Sequence, residues 1–183
     1  MDINDLEKNL KTCFKTAARD ENSGDKHKGL LLAEPNEKTA KEYIKKSKTE
    51  LELCEIYKHK EIDYKIAEEW FYTLYYCALA ILAKFGIESR SQRYTALFLK
   101  YVKYKNLIDY SDEFIERIMV YREKEEKSEV DEREEARYSS AIKSEKIKER
   151  YDEMMILCKK AIFECEEIVF SDKEFKVPKE LYK

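Results

Sequence analysis

A chain of 183 residues is long enough to bury a core of its own and within the range of one domain. Its formal net charge of −3 excludes a global basic field of the kind that drives non-specific nucleic-acid binding, so any polyanion site must be local. Three Gly and two Pro among a composition dominated by Glu, Lys, Leu, Ile, Ala and Tyr favour long helices over strands, and an all-α fold follows.

The first element is a peripheral helix. "MDINDLEKNLKTCFKTAA" carries Ile3, Leu6, Leu10 and Phe14 at helical spacing, before "RDENSGDKHKG" interrupts the pattern with charge and glycine. Early acids and the lack of a long apolar segment argue against a secretory signal and for a cytoplasmic protein. After "LLLAEP", a second helix places Ala40, Ile44, Ser47, Leu51 and Cys54 on one stripe, with Asn36 as its N-cap.

The third helix, Asp63 to Phe85, is the most apolar. Its uncharged run from Trp70 to Ala83 spans fourteen residues, too short for the roughly twenty a bilayer requires, and Glu68, Glu69 and Lys84 close both ends. A helix apolar on nearly every side yet too short for lipid is the central member of a bundle. Gly86 can take the left-handed conformation that ends it. Ser89-x-x-Gln92 then reads as a capping box for a fourth helix, whose apolar face is Tyr94, Leu97, Phe98 and Tyr101.

Ser111 opens a fifth helix with Phe114, Ile115, Ile118 and Met119. A sixth repeats Ile147, Tyr151, Met154, Cys158, Ile162, Cys165 and Val169 at intervals of three or four. Between them, thirteen of the sixteen side chains of "REKEEKSEVDEREEAR", residues 122–137, are charged, which reads either as a solvated extension or as a functional arm. The five cysteines, 13, 54, 77, 158 and 165, are odd in number, lack CxxC spacing and fall on apolar helical positions, so they read as reduced core residues.

Few constellations for chemistry are present. Two histidines, His27 and His59, stand thirty-two residues apart without ligand spacing, so no metal site is expected, and glycine at 24, 29 and 86 alone gives no phosphate loop. Glu68 and Glu69 are adjacent and point about 100° apart, against a paired-carboxylate site. What remains is recognition. Arg90 and Arg93 lie at the start of the fourth helix, where cations oppose the macrodipole, and with Tyr94 for stacking they form a candidate phosphate or carboxylate site. The competing reading pairs them with neighbouring glutamates on a solvated surface. Lys100, Lys103 and Lys105, interleaved with Tyr101 and Tyr104, extend this edge, either as a grip on single-stranded RNA or as half-buried tyrosines among solvated lysines.

Three segments in order, "GLLLAEPNEKTAKEYIKKSKTELELCE", "WFYTLYYCALAILAKFGIESRSQRYTALF" and "REEARY", resemble small prokaryotic HEPN-domain proteins over about residues 28–170. The family's "YYAMFHAA" aligns with Phe71 to Ala78, placing Tyr76 where a histidine is frequent. Its "SHxGVxxLF" aligns with "RSQRYTALF", which has Ser91 at the histidine position, and its "RxxAxY" matches Arg133, Ala136 and Tyr138.

The resemblance implies an up-and-down bundle with an extra N-terminal helix. Residues 1–27 form the peripheral helix and loop, 28–170 the HEPN-like bundle and 171–183 a tail. It also implies a homodimer, no cofactor, no membrane, and a minimal nucleotidyltransferase partner in a toxin and antitoxin pair. Many members are metal-independent ribonucleases with an Arg followed four to six residues later by a His, and this chain has no such His. Cleavage at a 2′-hydroxyl needs a base and a cation, and Tyr138, with an ordinary pKa of about 10, is a poor base. Arg133, Arg137 and Tyr138 then become phosphate-binding candidates rather than catalysts. Two expectations follow: an RNA- or nucleotide-associated HEPN-like protein without ribonuclease activity, or a non-enzymatic dimerising module that docks protein and binds no nucleic acid.

Overall fold

A computed structural model describes residues 2–119 and 144–183. Its helices are α1 (Ile3–Asn22), α2 (Glu37–His59), α3 (Asp63–Phe85), α4 (Gln92–Tyr104), α5 (Asp112–Arg117) and α6 (Ser144–Val169), followed by a 3-10 turn at Lys179–Leu181. The protein is an all-α bundle, with one small exception. Strands β1 (Leu30–Leu32) and β2 (Ile87–Ser89) pair antiparallel, Leu30 opposite Ser89 and Leu32 opposite Ile87.

The bundle is organised around α3, which packs against both α2 and α6. Trp70, Phe71, Leu74, Cys77, Ala78 and Ile81 are almost wholly buried, as expected of a helix with so little polar surface. On α2 the stripe of Ala40, Ile44, Ser47, Leu51 and Cys54 is buried, and the Asn36 side chain accepts from Thr39 N–H at 2.9 Å. The same contact is closed by polar groups inside the core. Ser47 Oγ donates to the Thr73 carbonyl at 2.9 Å, so a hydroxyl on an apolar stripe is satisfied across the helix pair.

The chain leaves α3 through Gly86 at φ 76°, ψ 49°. A Cβ on this residue would lie 2.5 Å from the Ala33 carbonyl oxygen, so glycine is required for space as well as for the positive φ. The turn lets Ala33 N–H reach the Gly86 carbonyl at 2.8 Å and Asn36 N–H reach that of Ala83 at 3.0 Å, which seats "LLLAEP" beside the end of α3, its three leucines as a strand. Local pattern gave no sign of this sheet, because three-residue strands carry too little alternation to register.

Three boundaries differ from the sequence expectation, the simplest being α5, which ends at Arg117 and leaves Ile118 and Met119 beyond it. α1 continues through Arg19 and Asp20 to Asn22, since these charged residues lie on its solvent face and the helix has no reason to stop before Gly24. The cap of α4 is Ser91, which accepts from Tyr94 N–H at 3.4 Å, rather than Ser89. Ser89 belongs to β2, and its hydroxyl lies 2.6 Å from Thr95 Oγ1. The Gln92 side chain donates instead to the Ile118 carbonyl at 3.1 Å.

α1 and the C-terminal segment close the bundle over α4. Leu6, Leu10, Phe14, Phe175, Val177 and Leu181 join the same core as α3, and the rings of Phe85 and Phe175 lie 5.0 Å apart. All five cysteines are buried as thiols, with no disulfide among the described residues. No helix among the described residues is long and apolar enough to cross a membrane.

Candidate functional site

Tertiary structure builds the start of α4 differently from its reading as an open cluster of cations. Arg90 is held beside β1 by its own N–H, which donates to the Gly29 carbonyl at 3.0 Å. Its guanidinium closes on Glu88, with Nη2 and Nε at 2.8 and 2.9 Å from Oε1. The same oxygen lies 3.3 Å from Nε2 of His27, whose side chain is fully buried. One carboxylate therefore ties a buried imidazole to a surface guanidinium across residues far apart in sequence. His27 is inaccessible to a substrate, and its Nδ1 has no hydrogen-bond partner among the described residues. This is a fastening of the loop before β1 to β2.

Arg93 is exposed and has no ion pair among the described residues; its guanidinium lies 5.7 Å from the ring centre of half-buried Tyr94. Further along α4 two of the three lysines of the basic edge are paired, while half-buried Lys100 has no ion pair among the described residues. Lys103 pairs with Asp112 at 2.9 Å and Lys105 with Glu180 at 3.4 Å. Tyr101 is wholly buried, and its hydroxyl donates to Glu180 at 3.0 Å and Glu7 at 3.3 Å. Burial, reinforced by these two carboxylates, holds its phenol far above the ordinary range. It is unavailable for stacking on a base. Tyr104, on the solvent side of α4, keeps an exposed ring. Arg133, Arg137 and Tyr138 lie outside the described residues.

A second cluster, on the outer side of the α2–α3 pair, went unread in the sequence. Tyr43 and Tyr76 stack with ring centres 6.0 Å apart, and Tyr72 and Tyr76 at 5.9 Å. Lys46 Nζ lies 5.5 Å from the centres of both the Tyr43 and Tyr76 rings. Beside this ladder the carboxyl of Glu69, almost fully buried, is pushed up to about 8 by burial and then by its hydrogen bond to Glu50 and the charges of Glu50 and Glu68. Carboxylates do pair here, across two helices. The pairing joins Glu69 to Glu50 and not to adjacent Glu68, because neighbours diverge on a helix while residues on packed helices converge. The nearby Cys54 thiol is also pushed up, mainly by burial and then by Glu69, so it is an inert thiol at neutral pH.

Among the described residues no group of three His, Cys, Asp or Glu side chains is placed to hold a metal ion. No protein-family model, curated protein or solved structure matches the chain.

Proposed function

We propose that this protein is a non-enzymatic helical module of HEPN type that works by docking protein partners. The observation that carries the reading is the pairing of most of the cations along the edge of α4. Arg90, Lys103 and Lys105, three of the five cations along this edge, are each engaged by a carboxylate of the same chain, and Tyr101 is in the core. Phosphate contacts dominate affinity for nucleic acid, and a cation held by a carboxylate must give up that pair to make one. Large apolar side chains meanwhile stand in solvent, among them Ile56, Ile156, Phe163 and Phe170. The HEPN resemblance supplies the partner class: a minimal nucleotidyltransferase, in a toxin-like pairing, besides a second copy of the chain itself.

A second reading, RNA or nucleotide association, is favoured by one feature, the exposed Arg93 against the Tyr94 ring. The two readings separate by gel shift of single-stranded RNA at about 50 and about 200 mM salt, in EDTA so that cleavage is followed in the same tubes. The docking module leaves the RNA unshifted and uncut at both. A salt-dependent shift lost in an Arg93→Ala, Tyr94→Ala variant overturns it in favour of RNA binding.

A further inference from the structure

Three of the exposed large hydrophobic side chains fall on one helix at a fixed interval. Ile156, Phe163 and Phe170 are 68, 59 and 51% exposed, and they recur every seven residues on α6 and its last hydrogen-bonded turn. Seven residues is nearly two helical turns, so the three stand in a line about 20 Å long on the face turned away from α3. The inner face is accounted for: Tyr151, Met154, Cys158, Cys165 and Val169 are buried in the core. A monomer gains nothing from a straight apolar stripe in water.

The charges beside the stripe are arranged about its middle residue. Lys159 and Lys160 lie four and three positions before Phe163, and Glu166 and Glu167 lie three and four positions after it. Lys159 and Glu167 have no ion-pair partner among the described residues, while Lys160 reaches Glu164 only at 3.8 Å and Glu166 is held by Lys48 at 2.8 Å. A second α6 laid antiparallel, with a two-fold axis through Phe163, brings Phe163 against Phe163. It also sets Ile156 opposite Phe170 and lays the two lysines alongside the two glutamates of the other copy. A parallel pairing sets lysine beside lysine and glutamate beside glutamate.

We propose that the outer face of α6 is an isologous interface, and that a second copy of this chain occupies it in antiparallel register centred on Phe163. Self-complementarity of both the apolar stripe and the flanking charges about one point is what a two-fold contact between identical helices demands. The inference deepens the docking reading and rests on it for the nature of the partner. It is tested separately from RNA binding.

Multi-angle light scattering of the full chain after size exclusion reads the association, and circular dichroism checks the fold. The wild type is expected to elute as a dimer at tens of micromolar, and Phe163→Glu, at a solvent-exposed position that appears twice on the axis, as a monomer of unchanged helicity. Lys160→Glu weakens the dimer at low salt at least tenfold, and adding Glu167→Lys restores it. Orientation is read by mixing Ile156→Cys with Phe170→Cys under mild oxidation, where the mixed disulfide is expected to exceed either homodisulfide. A monomeric wild type, or a dimer indifferent to Phe163→Glu, overturns the interface. Preferential Ile156→Cys homodisulfides overturn the antiparallel register.

Discussion

Glu69 shows how one residue can be unremarkable in sequence and costly in the fold. It stands on α3 beside Glu68 and Lys65, and α2 turns Glu50 and Cys54 toward it. Burial raises its carboxyl from the ordinary 4.5 to about 8, so the native chain keeps a proton that the unfolded chain gives up. The sign follows from linkage: stability from this group is full below the unfolded pKa, falls as pH climbs toward the folded one, and changes no further above it. The melting temperature is therefore expected to be lower at about pH 8 than at about pH 5. Glu69→Gln, which keeps the shape and cannot ionise, is expected to flatten that slope and melt a few degrees above the wild type at the higher pH. Thermal melts of both proteins across the range check this; a glutamine variant that melts lower at high pH contradicts it.

At the scale of the element, α3 carries the largest share of the burial. Leu74 and Ile81 are in contact with no solvent to speak of, at 1 and 0% exposure, so truncation leaves a cavity that packed neighbours cannot fill. Leu74→Ala or Ile81→Ala is expected to cost about 2–5 kcal/mol in urea unfolding, with helicity retained in the folded fraction. Tyr72→Ala, on the half-buried face of the same helix, should cost less than either, because that ring already meets water on one side. The difference between faces is the check. Equal losses at Tyr72 and Ile81 would mean that the outer side of α3 is covered by another molecule.

For the whole molecule, the two ends of the chain act as one clamp. α1 supplies Leu10 and Phe14, and the C-terminal segment supplies Phe175, Val177 and Leu181, to the core that α3 and α4 share. Tyr101 joins the ends directly, its hydroxyl donating to Glu7 of α1 and to Glu180 of the terminal turn. Removing residues 171–183 is therefore expected to destabilise the entire bundle in a single, earlier unfolding transition, followed by the helical dichroism signal. An unchanged midpoint would show the segment to be an appendage.

The helices and their inward faces were legible in the sequence because a helix declares itself within one or two turns. The stripe of α2, the apolar run of α3 and the left-handed glycine that ends it are all local statements, enforced by periodicity and backbone sterics. What the folded chain alone decided depends on residues brought together from a distance. β1 pairs with β2 across more than fifty residues, and Ser91 replaces Ser89 as the cap because pairing claims Ser89 for the strand. Glu88 meets His27, Glu69 meets Glu50, and Lys103 and Lys105 find Asp112 and Glu180, so several charges that looked available for a ligand are already engaged. Sequence spacing records which residues share a helix face, but the partner opposite that face is set by how helices pack, and with it the charge left over for binding.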